Sequence, residues 1–496
     1  MARKKKSEAE KAELQAEPSV EHIAAKPKKE RKKRESAKKA KHAESKPAEK
    51  AAEKIEEKPQ AKQEQKIEKP EVKLIPKPEV KLIPKKDEPI QPEINIGLVG
   101  HVDHGKTTLT EKLSGKWTDT HSEEIRLGIT IRLGYADATL RKCPNCNEPD
   151  CYTTKEKCPK CNTSTIFLRK VSFIDAPGHE SLMATMLSGA TIIDAALLLV
   201  AANEPCPQPQ TREHLMALQI IGIKTLIIVQ NKIDLVSKEE AIKNYEQIKA
   251  FIKGTPYENA PIIPVSAQQN INIDLLIEAL YKYIPKPVRD DTKEPIMLVA
   301  RSFDINRPGA DPLQLKGGVL GGTLKQGKLS LGEEIEIRPG RRVEKEGRVS
   351  WLPITTKIVS LVTGGSEVKE LRPGGSIAIM VSLDPSIVKS DSLSGAIVGL
   401  PGKLPKVWYV LKLKTTLLER VVGTRDSLLV EPIKMDEFLM LNVNSAATVG
   451  KVTKLGKDMI ECALKIPVCA NPESRATISR RVGDRYRLIG YGIIKE

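Results

Sequence analysis

Short aliphatic runs alternate with longer amphipathic segments between Ile94 and about Asp290. The short runs have the length of buried strands, and the segments between them have the periodicity of helices. This alternation is typical of a parallel β-sheet that is covered by helices on both faces. Strands are predicted at residues 94–99, 171–175, 195–202, 226–230 and 262–265, and helices at residues 238–251 and 274–283.

The hydrophobic pattern changes after residues 285–287 (Pro-Lys-Pro), where a linker is predicted. From Glu294 onward, paired glycines such as those at 317–318 and 321–322 separate short β-prone runs. This spacing is typical of antiparallel barrels, and a break containing proline and glycine at residues 400–405 predicts two of them. The expected fold is an α/β phosphate-loop domain followed by two β-barrels, with domain bounds at 94–290, 291–402 and 403–496.

The first 93 residues contain no Gly, Phe, Tyr or Trp and are dominated by Lys, Glu, Ala and Pro. Such a segment buries too little apolar surface to offset the entropy lost on ordering, so a disordered tail is predicted at residues 1–93. The sequence Pro-Glu-Val-Lys-Leu-Ile-Pro-Lys occurs at residues 70–77 and again at 78–85, where its prolines favour an extended spacer. The basic cluster at residues 31–34 could touch RNA, but a solvated tail is the simpler interpretation.

Composition is consistent with a multidomain protein that acts near polyanions. The length of 496 residues suggests about three domains. The net charge of +17 divides into +8 over residues 1–93 and +9 over the remainder. A basic surface favours nucleic acid, although surplus surface lysine would give the same charge. The sequence has no apolar run of membrane-spanning length and no recognisable secretory signal. Because disulfides form mainly in secreted proteins, the eight cysteines are not expected to form a disulfide scaffold, and a cytoplasmic location is expected.

A phosphate-binding loop is predicted at residues 100–107 (Gly-His-Val-Asp-His-Gly-Lys-Thr), between the first strand and a helix. Glycines let successive backbone N–H groups converge on an anion at a helix N-terminus. Lys106 is expected to reach the outer phosphates, and the Thr107 hydroxyl to bind Mg²⁺. A glycine turn that only connects strand to helix is the alternative. The other residues of this region assigned to the nucleotide are Asp103, His104, Gly105 and Thr108.

Two further elements are placed to sense the third phosphate of a nucleoside triphosphate. The sequence Asp-Ala-Pro-Gly-His at residues 175–179 ends a predicted strand. Asp175 can hold Mg²⁺ there through water, and the Gly178 N–H can contact the γ-phosphate. Thr130 lies between the two loops, where a switch segment would bind Mg²⁺ only when a γ-phosphate is present. An ordinary surface threonine is the alternative interpretation.

Recognition of the base is predicted from Asn231, Lys232, Ile233 and Asp234, which follow another buried strand. The Asp234 carboxylate can accept hydrogen bonds from both the N1–H and the exocyclic amine of guanine. Adenine lacks this donor pair and would leave the carboxylate unpaired, so the site favours GTP and GDP. The stem of Lys232 would pack along the base. A backbone N–H is expected to reach the guanine carbonyl from the segment Ser266, Ala267 and Gln268.

Two Cys-x-x-Cys pairs, separated by 11 residues, predict a metal site within residues 143–161. Four thiolates at this spacing can surround a tetrahedral Zn²⁺ ion with a structural role. Reduced thiols without metal are the alternative. Cys151 lies between the pairs and has no assigned role, although a fifth thiol leaves the ligand set slightly open. The predicted ligands are Cys143, Cys146, Cys158 and Cys161.

The motifs at residues 100–107, 128–130 and 175–179 resemble those of translational GTPases such as elongation factor Tu. Residues 117–124 (Trp-Thr-Asp-Thr-His-Ser-Glu-Glu) and 206–214 (Cys-Pro-Gln-Pro-Gln-Thr-Arg-Glu-His) resemble one branch more closely, the gamma subunits of archaeal translation initiation factor 2. The two clean Cys-x-x-Cys pairs favour the archaeal over the eukaryotic version. The similarity spans residues 94–496 and includes residues 301–304, 418–423 and 487–492.

This resemblance implies a GTPase that carries initiator methionyl-tRNA to the small ribosomal subunit and releases it on hydrolysis to GDP. It also implies a heterotrimer, with an alpha subunit on the second domain and a beta subunit on the GTPase domain. By motif match, Thr107 and Thr130 would hold one Mg²⁺, while Asp103 and the Gly128 backbone would hold a second. His179 matches the histidine that positions the attacking water. The tail of 93 residues is not part of the family core.

Hydrolysis is expected to be an in-line attack of water on the γ-phosphate, with Lys106, Thr130 and His179 as the residues nearest the chemistry. No arginine is obviously placed as an internal finger, so slow intrinsic turnover is expected. Two other functions stay open. One is a carrier GTPase for elongator or selenocysteinyl-tRNA, and the other is a non-catalytic RNA-binding assembly protein that holds GTP as a structural ligand.

Overall fold

The computed structural model describes residues 88–118, 130, 133–179, 183–306, 309, 315–421, 428–483 and 485–496. Gly128 and residues 1–87 of the predicted tail lie outside these ranges. Residues 88–93, which were predicted to belong to the tail, instead pack against the folded body. Within the described ranges, no helix combines the length and the apolar character needed to cross a membrane.

The first folded unit, here called the α/β domain, contains a seven-stranded sheet with the order β3-β2-β4-β1-β5-β6-β7. Strands β4, β1, β5, β6 and β7 run parallel, as predicted, and helices cover both faces. The strands are β1 (Ile94–Gly100), β2 (Gly134–Lys142), β3 (Tyr152–Thr153), β4 (Ile166–Asp175), β5 (Ala195–Ala201), β6 (Thr225–Asn231) and β7 (Ile262–Pro264). The helices are α1 (Lys106–Ser114), α2 (Met183–Ala190), α3 (Pro209–Ile221), α4 (Lys238–Ile252) and α5 (Ile273–Tyr283).

Local sequence explains where these elements begin and end. Every residue of β1 and of β5 is buried, because helices cover both faces of the sheet. A capping box formed by Ser237 and Glu240 starts α4, and Pro209 occupies the first turn of α3. Gly222 ends α3 in the left-handed conformation. The predicted helices and parallel strands are therefore present.

One edge of the sheet differs from the prediction. Strand β4 begins at Ile166, five residues before the predicted strand, and it pairs antiparallel with β2 from Ile166 to Asp175. Strand β2 was not predicted, because only one of its faces is buried and its hydrophobic run is correspondingly short. The short strand β3 pairs with the end of β2 and completes this edge.

The first barrel closes through six strands in the order β11-β16-β8-β9-β15-β12, and β12 pairs back to β11. Its core is aliphatic and includes Val299, Leu320 and Ile379. Its elements are β8 (Ile296–Phe303), β9 (Val319–Gln326), β10 (Leu329–Ser330), β11 (Glu334–Lys345), β12 (Arg348–Thr363), β13 (Ser366–Val368), β14 (Glu370–Leu371), β15 (Ile377–Val381), the short helix α6 (Pro385–Val388) and β16 (Ile397–Gly399).

The second barrel closes through six antiparallel strands in the order β17-β20-β19-β18-β21-β22. Its own apolar core includes Leu411, Leu441 and Ile478. The fold therefore matches the predicted α/β domain followed by two β-barrels. The strands are β17 (Val407–Leu417), β18 (Phe438–Val443), β19 (Ala446–Leu455), β20 (Met459–Cys469), β21 (Arg475–Val482) and β22 (Arg485–Lys495).

Candidate nucleotide site and cysteine cluster

The predicted phosphate loop connects the end of β1 to the start of α1. Gly105 caps α1 in the left-handed conformation, with a φ of 88°, and Lys106 is the first residue of the helix. The Lys106 ammonium is buried and donates to the carbonyl oxygens of Gly100, at 3.1 Å, and His101, at 2.7 Å. The ammonium thus lies across the loop, where the outer phosphates of a nucleotide would be bound.

Oxygen ligands suited to Mg²⁺ converge beside this loop. Thr107 Oγ1 lies 2.7 Å from an Asp175 carboxylate oxygen and 3.2 Å from Thr130 Oγ1. Thr118 Oγ1 donates to the same Asp175 oxygen at 2.9 Å. Hydroxyl and carboxylate oxygens are the ligands that Mg²⁺ prefers, so this set fits the ion. Three of the predicted magnesium residues are together, Asp103 lies exposed in the neighbouring loop, and Gly128 is outside the described residues.

The loop that follows β4 closes over the phosphate side of the site. A Cβ atom at Gly178 would overlap Lys106 Nζ and would lie 2.8 Å from the Gly100 carbonyl oxygen. Only glycine therefore lets this backbone approach the phosphate loop. The partly buried His179 comes next in the chain.

Asn231 joins the phosphate side of the site to the base side. Its Nδ2 donates to the His104 carbonyl oxygen at 2.9 Å, and its Oδ1 accepts from the Ala267 N–H at 3.0 Å. Lys232 adopts a left-handed conformation, with a φ of 64°, which leads into the 3₁₀ turn Ile233–Leu235. Asp234 is exposed on that turn, while Ser266 and Ala267 are buried beside it and Gln268 is exposed. The predicted base-recognition segments are thus adjacent in space.

Two buried histidines support the phosphate loop from behind. His214 on α3 accepts the Gly100 N–H at its Nδ1 over 2.8 Å, and burial lowers the pKa of His214 to about 3. The ring of His104 donates through Nδ1 to the Leu199 carbonyl oxygen at 2.9 Å, which directs the imidazole away from the nucleotide. His104 therefore offers the nucleotide its backbone rather than its ring. The role of His214 was not predicted, because its partner lies 114 residues away in the sequence.

The four predicted zinc ligands form one cluster, with all four sulphur atoms within 4.8 Å of one another. Cys143 Sγ lies 3.4 Å from Cys161 Sγ, and Cys146 Sγ lies 3.7 Å from Cys158 Sγ. A tetrahedral ion with Zn–S bonds of about 2.3 Å places its sulphur atoms about 3.8 Å apart, so the cluster fits Zn²⁺. Cys151 is buried and is not a member of this cluster; its carbonyl oxygen accepts the Cys143 N–H at 2.7 Å.

A second cavity, here called the seam pocket, lies between the α/β domain and the first barrel and has a volume of about 540 Å³. Tyr135 of the α/β domain and Ser376 of the first barrel are among its lining residues, and the buried oxygens of their hydroxyl groups have no hydrogen-bond partner among the described residues. Burial raises the pKa of Tyr135, so the phenol stays protonated. Other residues in the lining are Lys116, Thr118, Asp137, Arg301 and Phe303.

Comparison with known proteins gives the family. Residues 91–286 match the elongation factor Tu GTP-binding domain, and residues 409–494 match the C-terminal domain of initiation factor eIF2 gamma. Over 406 residues the chain is 62% identical to translation initiation factor 2 subunit gamma of Pyrococcus horikoshii, covering 82% of this chain and 98% of that protein. This chain belongs to the family of translation initiation factor 2 gamma subunits. The gamma subunit of Methanothermobacter thermautotrophicus is 61% identical over 405 residues, covering 82% and 99% of the two chains.

Solved structures show the same fold at lower identity. Bacterial selenocysteine-specific elongation factor EF-Sec superposes with a TM-score of 0.61 at 24% identity, over 81% of this chain and 58% of that chain. Elongation factor SelB from Methanococcus maripaludis, bound to the GTP analogue GppNHp, gives 0.59 at 22% identity, over 82% and 79%. As a translation initiation factor 2 gamma subunit with an elongation factor Tu GTP-binding domain, the chain is a translational GTPase that uses GTP, GDP and Mg²⁺ and acts in initiation.

Proposed function

We propose that this gamma subunit binds initiator methionyl-tRNA in its GTP form, delivers it to the small ribosomal subunit and releases it when GTP is hydrolysed to GDP. The seam pocket is the observation that supports this proposal. Two residues of its lining, Tyr135 and Ser376, carry buried hydroxyls that have no partner within the described ranges, and a polar ligand that reaches them would satisfy both. A volume of about 540 Å³ lies in the range typical of small-ligand sites and suits the aminoacylated end of a tRNA.

The chemistry of the pocket walls matches a single-stranded RNA end. The partly exposed ring of Phe303 offers a surface on which a base can stack. Arg301 and Lys116 place positive charge on the same walls, where phosphate or carbonyl oxygens would be bound. The single-stranded acceptor end of a tRNA carries a base, ribose hydroxyls and an ester, and each has a partner type in this lining.

Thr118 connects the nucleotide site to the seam pocket. It lines the seam pocket, and its hydroxyl donates to Asp175, which also accepts a hydrogen bond from Thr107. Any rearrangement of the ligands around Mg²⁺ therefore alters a residue of the pocket wall. We infer that loss of the γ-phosphate loosens Thr130 and Thr118 together, and that the RNA is then released.

The proposed catalytic residues act around the γ-phosphate. Mg²⁺, when bound by Thr107, Thr130 and water molecules held by Asp175, supplies charge stabilisation to the phosphates. Lys106 already spans the phosphate loop and neutralises charge that develops on the β–γ bridge. His179, next to Gly178 in the chain, is proposed to orient the attacking water, and Gly178 to donate its N–H to the γ-phosphate. Asp103 and Gly128 are the proposed ligands of a second Mg²⁺.

The proposed partners follow from the same function. We infer a heterotrimer in which an alpha subunit docks on the first barrel and a beta subunit docks on the α/β domain. The family assignment supports this arrangement, since the relatives are named as gamma subunits of translation initiation factor 2. Translation initiation in the cytoplasm is the proposed setting.

Binding of initiator methionyl-tRNA in the presence of GppNHp or GDP tests this function. We expect binding at least about fivefold tighter with GppNHp, since coupling between two ligands is typically about 1–3 kcal/mol. Tyr135→Phe removes one unpartnered hydroxyl and should weaken tRNA binding, whereas Tyr409→Phe on the exposed surface of the second barrel should not. Equal affinity for initiator and elongator methionyl-tRNA would overturn the initiation role. If RNA affinity is the same with GppNHp and GDP, and the protein does not hydrolyse GTP on ribosomes, GTP would be a structural ligand of a non-catalytic RNA-binding protein.

A further inference from the structure

Residues 88–93, here called the strap, run between the α/β domain and the first barrel immediately before β1. On the α/β side, the Glu93 N–H donates to the Lys170 carbonyl oxygen at 3.0 Å. The Glu93 carboxylate lies 2.7 Å from Arg169 Nε and 2.9 Å from Lys286 Nζ. The strap is thus held to β4 by one main-chain hydrogen bond and one ion pair, and to the segment after α5 by a second ion pair.

The other end of the strap is held at β2. Glu88 forms a two-point ion pair with Arg141, with N–O distances of 3.1 and 2.5 Å. Both side chains are mostly buried, with exposed fractions of 18% for Glu88 and 8% for Arg141. Since two parallel N–H···O contacts fix orientation as well as distance, this pair defines where the strap leaves the sheet.

On the barrel side, one amide side chain makes the connection. Gln91 Nε2 donates to the carbonyl oxygens of Arg372, at 2.5 Å, and Gly374, at 2.7 Å. Its Oε1 accepts the Arg372 N–H at 3.0 Å. Both donor hydrogens and the acceptor of Gln91 are therefore used on the segment that leads into β15. At Gly364 a Cβ atom would overlap the Ile90 carbonyl oxygen, so the barrel backbone is also in contact with the strap.

The barrel segments that touch the strap also form a wall of the seam pocket. Gly364 and Ser376 line the pocket, and both contact the α/β domain directly. Lys170 Nζ donates to the Gly364 carbonyl oxygen at 3.1 Å, and the Ser376 N–H donates to Ser172 Oγ at 3.0 Å. The strap thus contacts the same barrel segments that supply part of the pocket lining.

We propose that the strap sets the spacing between the α/β domain and the first barrel, and thereby the width of the seam pocket, with Gln91 as the positioning residue. Gln91 does not line the pocket, so it acts through the wall formed by residues 364–365 and 376–378. Its hydrogen bonds to Arg372 and Gly374 hold the segment directly before residues 376–378. That the pocket binds tRNA rests on the proposed function, whereas the effect of the strap on the spacing does not. An experiment can therefore contradict the tRNA-binding role of the pocket without contradicting the role of the strap, and the reverse.

Amide hydrogen exchange at Ser376 reports on the spacing, because its N–H is bonded across the seam to Ser172. We expect Gln91→Ala to accelerate exchange at Ser376 by about tenfold, the effect of losing hydrogen bonds of ordinary net strength. Gln326→Ala is the matched control, since Gln326 Nε2 also donates to a carbonyl oxygen, that of Glu294, without crossing the seam. Exchange at Ser376 that is unchanged in Gln91→Ala, or equally fast in Gln326→Ala, would overturn the proposal.

Affinity measurements on the same full-length variants separate positioning from general damage. We expect Gln91→Ala to retain GTP affinity within about twofold while initiator methionyl-tRNA affinity falls about tenfold. Gln91→Glu keeps the acceptor but loses both donors and should behave like Gln91→Ala. A parallel loss of GTP affinity would show general destabilisation and overturn the positioning role. Faster exchange at Ser376 with unchanged tRNA affinity would support the strap and contradict the RNA-binding role of the pocket.

Discussion

His214 holds the first residue of the phosphate loop through a hydrogen bond that only a neutral imidazole can accept. Its Nδ1 faces the Gly100 N–H at 2.8 Å, and the side chain is buried. Protonation would turn Nδ1 into a second donor directed at that N–H. Burial, assisted by the charge of Lys106, lowers the pKa of His214 from 6.5 to about 3. The loop is therefore supported only while this imidazole is uncharged.

A pH dependence of stability follows from His214. Between pH 6.5 and about 3 the unfolded imidazole binds a proton and the folded one does not, so stability is lost as pH falls through this window. His214 alone should cost about 2 kcal/mol of the free energy of unfolding between pH 7 and pH 5. His214→Asn, whose amide oxygen can accept the same hydrogen bond, should lose about 2 kcal/mol less than the native chain over this interval.

Urea unfolding at pH 7 and pH 5, followed by a probe in the α/β domain, measures this difference. His42→Asn in the predicted tail is the control, and we expect it to leave the pH dependence as in the native chain. If His214→Asn shows the same loss of stability between the two pH values as the native chain, the neutral buried imidazole is not the cause.

At the scale of elements, the cysteine cluster brings together the two ends of the connection between β2 and β4. Cys143 directly follows β2, and Cys161 lies five residues before β4. The connection contains only the two-residue strand β3, which is too short to order it through main-chain pairing alone. Four thiolates bound to one ion would supply the missing constraint, so we expect the local fold of this edge to depend on metal.

Zinc content and proteolysis test this dependence. We expect about one zinc ion per native chain, and we expect Cys158→Ser to lose the metal and to be cut within residues 143–165 at least about tenfold faster. Cys151→Ser changes a buried cysteine outside the cluster and should keep the ion. GTP affinity should survive in both variants, because β2 and β4 separate the cluster from the phosphate loop at the end of β1. Zinc retained by Cys158→Ser would contradict the ligand set.

The elements that sequence predicted well are those whose chemistry is local. A phosphate loop, the turn around Asp175 and the Asn231–Asp234 segment each need a few adjacent residue types at the end of a strand. The barrels followed from glycine spacing and β-prone runs. Contacts across domains were not predicted, because a local sequence pattern carries no information about residues far apart in the chain. Gln91 and Arg372, for example, are separated by 281 positions. The strap and the seam pocket belong to this class. The role of His214 was missed for a similar reason within one domain, since Gly100 lies 114 positions away.

At the scale of the whole molecule, α3 joins the phosphate loop to the second barrel through adjacent residues. His214 contacts the loop, and Glu213 forms an ion pair with Arg487 on β22, with Nη1–Oε1 at 2.7 Å. Asn442 Nδ2 on β18 also donates to Ser188 Oγ on α2 at 3.0 Å. The Glu213 and Arg487 side chains are only 1% and 9% exposed, so little water screens the pair. The second barrel is therefore attached beside the nucleotide site.

Removing the charge of Glu213 tests how strongly this attachment depends on the buried pair. Glu213→Gln leaves the Arg487 guanidinium buried without its carboxylate, and we expect a loss of about 3 kcal/mol in the free energy of unfolding. Glu473→Gln is the matched control, because its pair with Lys495 on the second barrel is exposed and should cost about 1 kcal/mol or less. The double variant Glu213→Gln/Arg487→Met removes both charges and should recover part of the loss. Chemical denaturation of the native chain, the two single variants and the double variant measures these free energies of unfolding. If Glu213→Gln loses no more stability than Glu473→Gln, apolar packing and not the ion pair holds the second barrel to α3.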